Sequence, residues 1–236
     1  MSITIVCTTY FPPGPDGRQR ADDASDAAHS WSEHLTIEGE ILLHVADDGS
    51  DGENYQRFVD LMEYDRPAGS QFSTKPFSES RQERHGVGAS LNAGMRVAFE
   101  RGDLVLYAVD DWKMDGPLDL TPWARLLERD EMIACVRLGI AHPGLTGTVE
   151  HDPESGQYYL RLDRHHFAFG HRPALYHRRM VEAYGWFDED VNAYECERLY
   201  NERFCANPGP DVVLALTHHW RHASDVELAD IDPRGA

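Results

Sequence analysis

The sequence predicts a single α/β domain with a mostly parallel central sheet and helices on both faces. Short apolar segments alternate with amphipathic ones along the first half of the chain, which is the pattern of such a sheet. Two of the apolar segments run directly into aspartate pairs, Asp47-Asp48 and Asp110-Asp111. A buried parallel strand is a continuous apolar run, and open α/β sheets bind ligands at the carboxyl ends of their strands. The two pairs therefore indicate one ligand that carries hydrogen-bond donors and a metal-bound anion, such as a nucleotide diphosphate.

The first half of the chain gives a regular series of elements. Helices are indicated by apolar residues at helical spacing, and strands by short apolar runs. The segment 11–20 contains three prolines and two glycines, which predicts a loop. In order, we predict a strand at 3–7, the loop, a helix at 22–34, a strand at 41–46, a helix around 55–62, a short strand near 71–77, a helix from Gly86 to Gly102 and a strand at 104–109.

The second half is less regular, and its elements are predicted from shorter patterns. In order, we predict a helix around 123–127, a strand at 132–140, a loop at 142–156, a strand at 158–162, a strand at 167–176, a helix at 178–184, a turn at 185–190, a helix at 194–204 and a strand at 212–216. We find no repeat and no low-complexity linker in the sequence. We therefore predict one domain over residues 1–224, followed by an acidic, frayed tail at 225–236.

Composition narrows the class of partner and the compartment. The chain has 236 residues and a net charge of -19, from 41 acidic and 22 basic residues. This charge is explained by solubility, and it disfavours a nucleic acid acceptor because phosphate neutralisation supplies most of that affinity. The four cysteines form no CxxC pair, which favours reduced thiols and a cytoplasmic setting. No apolar segment approaches the length of a membrane span or a signal sequence.

The segment Asp47-Asp48-Gly49-Ser50 allows two interpretations. Aspartate, glycine and serine suit a strand-to-helix turn, so the segment can be purely structural. In the functional interpretation, a carboxylate here accepts a hydrogen bond from a nucleotide base or a ribose hydroxyl. Both interpretations stay open at the level of sequence.

The pair Asp110-Asp111 is the stronger indication of a binding site. Two carboxylates at the end of a buried strand repel each other unless a cation or hydrogen bonds compensate. Hard oxygen ligands suit Mg²⁺ or Mn²⁺, which bind through one or two carboxylates together with substrate phosphates. The alternative is a solvated turn in which one aspartate caps a helix.

Other catalytic motifs are absent from the sequence. The chain contains no GxxxxGK segment and no Gly-x-Ser-x-Gly elbow. The segment around Gly86 and Gly88 lacks the third glycine of a dinucleotide fingerprint and does not follow the first strand. These absences exclude the P-loop and argue against the Rossmann and α/β-hydrolase patterns.

Four ordered segments carry a resemblance to a known family. They are Thr4-Ile5-Val6-Cys7-Thr8-Thr9-Tyr10, Asp47-Asp48-Gly49-Ser50, Gly86-Val87-Gly88-Ala89-Ser90-Leu91-Asn92-Ala93-Gly94 and Val109-Asp110-Asp111. In this order and spacing they resemble a family 2 type glycosyltransferase of the GT-A fold. The later segment Tyr184-Gly185-Trp186-Phe187-Asp188-Glu189 is similar to the family's glycine-Phe-Asp-Glu segment, and Glu197 and Arg203 have its acid-to-arginine spacing. The resemblance covers residues 2–205.

The resemblance implies an inverting, metal-dependent transfer from a nucleotide-sugar donor, most often a UDP-sugar, to an acceptor hydroxyl on a glycan, a protein or a small molecule. It implies Mn²⁺ or Mg²⁺ on the donor diphosphate and a glutamate as general base. The residues that it assigns are Thr8, Tyr10, Asp47 and Asp48 at the base and ribose, Arg84 and Asn92 near the donor, Asp111 at the metal with Asp110 as its substitute, His218 or His219 as a further metal ligand, and Glu197 as the base, with Glu195 as the second acid of that helix. From the sequence alone, a surface histidine cluster is an equal alternative for His218 and His219.

The sequence departs from the family pattern at two positions. Val109 stands where the usual Asp-x-Asp motif has its first acid, and Cys196 stands in the usual Glu-Asp motif. These departures motivate an alternative from another class of function. In that alternative the chain is a catalytically silent GT-A module that binds a nucleotide-sugar or a partner protein.

Several histidines, arginines and tryptophans are weaker candidates. His171 and Arg172 can contact the acceptor or the diphosphate, although loop residues of this kind are more often solvated. Trp112 and Trp186 can stack on an acceptor sugar, but packing in the core is the default for tryptophan.

Overall fold

The computed structural model describes residues 1–64, 72, 78–139, 145–164, 168–216 and 220–222. The strands in this part of the chain are β1 (Ser2–Thr9), β2 (Leu35–Thr36), β3 (Glu40–Asp47), β4 (Ser78–Arg81), β5 (Leu104–Val109), β6 (Trp112–Met114), β7 (Leu118–Asp119), β8 (Ile133–Arg137), β9 (Gly147–His151), β10 (Tyr158–Leu162), β11 (Ala174–His177), β12 (Asp211–Ala215) and β13 (Trp220–His222). The helices are α1 (Pro15–His34), α2 (Gly52–Tyr64), α3 (Val87–Phe99), α4 (Thr121–Arg129), α5 (Arg179–Tyr184) and α6 (Ala193–Ala206).

A nine-stranded sheet forms the centre of the molecule, in the order β4-β3-β1-β5-β11-β8-β12-β10-β9. Strands β4, β3, β1 and β5 are parallel neighbours. Relative to β1, only β11 and β10 of this sheet run in the opposite direction. Two small sheets pair β13 with β6 and β2 with β7. The mostly parallel sheet expected from the sequence is therefore present, with antiparallel strands in its second half.

The order in which strands are added to the sheet reverses at β1. Strands β3 and β4 are added on one side of β1, and the connection through α3 then returns to place β5 on its other side. Right-handed crossovers put helices on opposite faces before and after such a reversal. In agreement, α1 contacts α2, whereas α3 packs against β1, β3, β5 and α6. The carboxyl ends of β1 and β5 thus flank the reversal point, where open α/β sheets bind their ligands.

The sheet register brings the predicted polar strand ends together. Thr9 lies beside Asp47 in the β1–β3 pair, and Thr8 lies beside Val109 in the β1–β5 pair. All six residues of β5 are buried, as is every residue of β1 except Ser2. Continuous apolar burial on both faces fixes these strands and leaves the residues after them at the sheet edge.

Helix α1 begins seven residues before the predicted helix at 22–34, so the predicted loop at 11–20 is wrong beyond residue 14. Pro15 occupies the first turn, where the fixed φ of proline suits a helix and its missing N–H is not needed. Gly14 precedes it with a φ of +88°, which favours glycine. Gly17 lies in the helix because a Cβ there would fall 1.6 Å from the Pro12 carbonyl oxygen. The first turns of α1 pack against the backbone at Pro12 through Gly17. Their sequence therefore lacks the regularly spaced apolar residues from which a helix is predicted.

Other predictions concern residues that the structure describes only in part. The strand predicted near 71–77 is described only at residue 72, and the next strand, β4, begins at Ser78. The predicted tail at 225–236 lies outside the described residues. All four cysteines are free thiols. None of the described helices is long and apolar enough to cross a membrane.

Candidate functional site

A cavity of about 390 Å³ opens at the carboxyl ends of β1 and β5, and we call it the switch-point cavity. Seven parts of the chain form its wall: the end of β1 with the residue after it, α1, the residue after β3, the first turn of α3, the end of β5 with the start of β6, the segment before β11, and the first residue of α6. The lining residues are Thr8, Thr9, Tyr10, Arg20, Asp48, Val87, Ser90, Val109, Asp110, Asp111, Trp112, His171, Arg172 and Ala193. The cavity therefore combines three carboxylates with two guanidinium groups.

Asp110 is held by Arg20 in a two-point ion pair. Arg20 Nε donates to Oδ2 at 3.2 Å and Nη2 donates to Oδ1 at 3.0 Å. The Asp110 side chain is 1% exposed, while that of Arg20 is 45% exposed. Burial raises the pKa of Asp110 to about 6, although the neighbouring guanidinium opposes the rise. Arg20 thus supplies the positive charge that a buried carboxylate at this strand end requires.

Asp111 and Arg172 stand on the cavity wall near Trp112. The Asp111 side chain is partly exposed, in contrast to that of its buried neighbour Asp110. The Arg172 guanidinium carbon lies 5.9 Å from the centre of the Trp112 ring, within range of a cation–π contact. A carboxylate and a guanidinium therefore share this part of the wall, one suited to a cation and the other to a phosphate.

His171 connects the cavity to the helix α6. Its ring Nδ1 lies 3.3 Å from the Tyr107 hydroxyl, which in turn lies 3.4 Å from the Thr8 hydroxyl. Its backbone N–H donates to Glu197 Oε1 at 2.5 Å. Burial lowers the pKa of His171, and the Glu197 carboxylate opposes that change. The ring therefore favours its neutral form beside the cavity.

A second cavity of about 510 Å³ adjoins the first, and we call it the adjoining cavity. Tyr10, Arg20, Asp48, Val87 and Ala193 line both cavities. Its further lining residues are Arg84, His85, Gly86, Asp190, Val191 and Asn192.

Arg84 and Tyr10 form one wall of the adjoining cavity. The Arg84 guanidinium carbon lies 4.1 Å from the centre of the Tyr10 ring, and Nη1 donates to the Tyr10 hydroxyl at 2.9 Å. The flat surface formed by this pair is of the kind on which a nucleotide base stacks. Among the predicted donor contacts, Thr8, Tyr10, Asp48, Arg84, Asp110 and Asp111 all line one or both cavities.

Asp48 lines both cavities but is also a structural acceptor. It accepts from the backbone N–H of His85 at 2.9 Å and from that of Gly86 at 3.0 Å. These bonds hold the residues just before α3 against the end of β3. A ligand at Asp48 must share a carboxylate that already accepts two backbone bonds.

Asp47 accepts hydrogen bonds from more donor groups of the protein than Asp48 does. It is fully buried, and it accepts from the hydroxyls of Thr9 and Ser50, from the Ser50 N–H and from Arg81 Nε. It lines neither cavity. The structural interpretation of this turn explains its contacts.

Asn92 is likewise fully buried and lines neither cavity. Its side chain donates to the Phe187 carbonyl at 2.9 Å and to Glu189 Oε1 at 2.8 Å, and it accepts from the Phe187 N–H at 3.0 Å. These bonds attach the turn before α6 to α3. Asn92 therefore lies behind the site and supports the segment that carries α6.

The two glutamates of α6 have different environments. Glu195 is paired with Arg198, which donates to its carboxylate at 2.6 Å and 2.8 Å. Glu197 instead contacts the backbone of His171 at the cavity wall. Neither glutamate lines the two cavities. Cys196, between them, is fully buried, so it packs in the core.

Of the candidate metal ligands, Asp110 and Asp111 lie among the described residues. His218 and His219 lie outside them. Within the described ranges, no group of three or more histidine, cysteine, aspartate or glutamate side chains is placed to hold an ion. Mg²⁺ and Mn²⁺ also bind through one or two carboxylates completed by phosphate oxygens and water. Asp111 at the cavity wall fits that second mode, in which the ligand brings part of the coordination shell.

Three cavity residues were missed or given little weight by sequence reasoning. Arg20 lies in the segment predicted as a loop, and its partner Asp110 is 90 positions further along the chain. His171 and Arg172 reach the site because β11 is inserted next to β5, a pairing that no local pattern predicts. The one available signal was their charge close to Phe169 and Gly170 in an otherwise apolar stretch.

Neither a scan of protein-family models nor a search of curated proteins finds a match to this sequence. Solved structures, in contrast, share its fold. The chain is similar to S. aureus TarS 1-349, with a TM-score of 0.62 and 14% identity over 95% of this chain and 61% of that one. That protein is also solved in complex with UDP-GlcNAc.

Two further structures show the same likeness at lower TM-scores. One is GalNAc-T7 with UDP, GalNAc and Mn²⁺, with a TM-score of 0.55 and 15% identity over 91% of this chain and 42% of that one. The other is the mannosyltransferase PcManGT from Pyrobaculum calidifontis in complex with GDP-Man and Mn²⁺. Its TM-score is 0.52, and its identity is 17% over 90% of this chain and 56% of that one. This chain spans less than two thirds of the length of each. The fold class predicted from the sequence is confirmed.

Proposed function

Because this chain has the GT-A fold, we propose that it transfers a sugar from a nucleotide-diphosphate sugar to an acceptor hydroxyl. The observation that carries the proposal is the switch-point cavity at the carboxyl ends of β1 and β5, whose wall includes both Asp111 and Arg172. A carboxylate for a cation and a guanidinium for a phosphate are the groups that a nucleotide diphosphate needs. TarS and PcManGT support the proposal, because these proteins of the same fold are solved in complex with the nucleotide-sugars UDP-GlcNAc and GDP-Man.

In this proposal the nucleotide lies across both cavities. Its base stacks near the Tyr10–Arg84 pair, and its diphosphate reaches Asp111 at the end of β5. We favour a UDP-sugar because TarS and GalNAc-T7 are solved with UDP or a UDP-sugar. The acceptor is a hydroxyl of a glycan, a protein or a small molecule, and the net charge of -19 disfavours a nucleic acid. The free cysteines favour a cytoplasmic setting.

Asp111 would hold Mn²⁺ or Mg²⁺ together with the donor diphosphate. When bound, such an ion supplies Lewis-acid stabilisation of the departing diphosphate. The chain itself contributes Arg172 as a fixed cation on the same wall. The proposal therefore includes dependence on a divalent metal.

For the proton of the acceptor hydroxyl, we propose Glu197 as general base, in a single displacement with inversion. The contact between Glu197 and His171 places this carboxylate next to the cavity wall. Glu195 is the weaker candidate because Arg198 holds its carboxylate. A base positioned in this way acts by proton transfer in the transition state, so its loss affects turnover more than donor binding.

One observation favours a second candidate, a catalytically silent GT-A module that binds a nucleotide-sugar or a protein. Asp47 and Asn92, which the family resemblance places at the donor, are used to hold the protein together. A module that had lost turnover while keeping its fold would retain such bonds. Turnover of a bound donor separates the two candidates.

The experiment is a thermal-shift panel of UDP-, GDP-, dTDP- and CMP-sugars, each with Mn²⁺ and with EDTA. A ligand that binds the folded state raises the melting temperature by mass action. We expect stabilisation by one nucleotide class that EDTA removes, followed by release of that nucleotide when acceptors are added. Stabilisation without any turnover supports the silent module. No shift with any donor contradicts the proposed function.

A further inference from the structure

Arg20 is the one arginine on the described wall of both cavities. Arg172 lines only the switch-point cavity, and Arg84 lines only the adjoining cavity. Arg20 reaches this position from the second turn of α1, and its side chain is 45% exposed. It therefore stands where the two cavities meet.

The ion pair with Asp110 fixes the orientation of the guanidinium. Both bonds use Nε and Nη2, which leaves the Nη1 end without a partner among the described residues. Since the Asp110 side chain is 1% exposed, one edge of the guanidinium is anchored in the wall while the rest of it remains accessible. An arginine that is anchored in this way loses less side-chain entropy when it binds a second anion.

The same pair changes the roles of the two adjacent aspartates. Both oxygens of Asp110 accept from one guanidinium, so this pair has no net charge to offer to a cation. Asp111, the next residue, is partly exposed on the wall of the switch-point cavity. The two adjacent aspartates therefore differ in role: Asp111 is suited to a cation, and Asp110 holds Arg20.

We propose that Arg20 is a donor-binding residue that contacts the diphosphate at the junction of the two cavities, and that Asp110 positions it and does not bind metal. This inference rests on the proposed function, because a ligand that extends across both cavities is required. A nucleoside diphosphate meets that requirement, with its base in one cavity and its phosphates at the junction. The guanidinium plane provides paired N–H donors for phosphate oxygens.

A purely structural role is the competing explanation, since Arg20 also neutralises a buried carboxylate. The double variant Arg20→Gln/Asp110→Asn separates the two roles because it replaces the ion pair with two neutral amides. If Arg20 serves only to compensate Asp110, the double variant restores ligand binding. If Arg20 contacts the diphosphate, binding stays weak in the double variant although the fold is kept.

The test is calorimetric titration of UDP and GDP in the presence of Mn²⁺, with uridine and guanosine as phosphate-free probes. We expect both Arg20→Gln and the double variant to bind the preferred nucleoside diphosphate about 10- to 100-fold more weakly, which corresponds to one charge-assisted contact. Affinity for the matching nucleoside stays unchanged in both variants. Thermal melting of each variant reports separately on its folding.

Arg57→Gln is the matched control. Arg57 forms the same two-point pair with Asp22, at 2.5 Å and 3.0 Å, but lines neither of the two cavities. We expect its UDP or GDP affinity to equal that of the wild type. Wild-type affinity in Arg20→Gln or in the double variant overturns the inference while the proposed function stands. A wild-type protein that binds no nucleoside diphosphate overturns the proposed function and this inference together.

Discussion

Asp110 and Asp111 are adjacent in the chain but unequal in their surroundings. Asp110 is buried and held by Arg20, whereas Asp111 is partly exposed on the cavity wall. We expect Asp111→Asn to remove the Mn²⁺ dependence of UDP or GDP binding, because its carboxylate is the one suited to share a cation with the diphosphate. The ratio of affinities with Mn²⁺ and with EDTA should fall from about tenfold or more to about one.

Asp110→Asn is the control for this prediction. It removes a carboxylate at the neighbouring position without changing the size of the side chain. We expect it to keep the Mn²⁺ dependence, although it weakens nucleotide binding by releasing Arg20. Calorimetric titration with Mn²⁺ and with EDTA measures both variants. Loss of the metal effect in Asp110→Asn alone would reverse the assignment.

The glutamates of α6 form a second matched pair of variants. We expect Glu197→Gln to keep donor binding and to lower kcat by about a hundredfold to ten-thousandfold, the range for removal of a general base. Glu195→Gln should keep most of the activity because the Glu195 carboxylate is engaged by Arg198. Nucleotide release measured under saturating donor gives kcat for both variants. An inactive Glu195→Gln beside an active Glu197→Gln would show that the wrong acid had been chosen.

At the residue scale, the sequence predicted which strand ends lie together better than it predicted the contacts of each side chain. Asp48 and Asp111 lie on the cavity wall as their place after buried strands predicted. Asp47 and Asn92 have the same polar character, but their side chains point into the protein and are saturated there. Asp47 is the last residue of β3 and Asp48 follows it, and successive side chains along a strand point to opposite faces, so only Asp48 of this pair faces the cavities.

At the scale of elements, the entry to α3 links the fold to the site. Gly86 has a φ of +88°, and a Cβ there would lie 2.6 Å from the Val191 carbonyl oxygen. The Gly86 N–H also donates to Asp48. We expect Gly86→Ala to lower the free energy of unfolding by about 1–3 kcal/mol through strain and a forced backbone shift. Nucleotide binding should weaken as well, because Asp48 loses its fixed position.

Gly102→Ala is the control for that prediction. The nearest atom to a Cβ at Gly102 is the Ser2 carbonyl oxygen, 3.6 Å away, which is an ordinary contact. We expect this variant to change neither stability nor nucleotide binding by a measurable amount. Urea denaturation gives the free energy of unfolding, and titration with UDP or GDP gives the affinity. Equal effects of the two substitutions would exclude the special role of Gly86.

Local patterns predicted most elements of the first half because each element carries its own signal. The apolar run of β5 is buried along its whole length, and the apolar face of α3 packs on β1 and β3. The exception is α1, whose first turns pack on backbone through Gly17 and so lack an apolar period. The Arg20–Asp110 pair was not predicted for the same reason. Arg20 lies in the part of α1 that was predicted as a loop, so no position for its side chain could be predicted.

For the molecule as a whole, alternating strands and helices predicted the parallel half of the sheet and the edge at which the switch-point cavity lies. The antiparallel insertion of β11 between β5 and β8 could not be predicted, because strand pairing over such a sequence separation leaves no local signal. That insertion brings His171 and Arg172 to the cavity. The part of the site supplied by the first half was therefore predictable, and the part supplied by long-range pairing was not.

The dependence of overall stability on pH follows from a buried histidine that links the edge strand β4 to its neighbour β3. His44 is fully buried, with ring nitrogens 2.8 Å from the Ser78 hydroxyl and 3.1 Å from that of Ser80. Burial lowers its pKa from 6.5 to about 4. As the pH falls through this interval, the unfolded chain takes up a proton that the folded protein refuses. The folded state should therefore lose up to about 3 kcal/mol between the two values.

His44→Gln tests this directly, because glutamine keeps hydrogen-bonding capacity but does not titrate in this range. Other groups also contribute to the pH profile, since burial lowers the pKa of His177 to about 4 and raises that of Asp110 to about 6. The informative quantity is thus the difference in unfolding free energy between wild type and variant, measured by urea denaturation from about pH 7 to about pH 4.5. We expect the wild type to lose its advantage steadily below about pH 6.5. Parallel curves for the two proteins would mean that His44 is protonated equally in the folded and unfolded states, and that the strand edge formed by β3 and β4 opens to water.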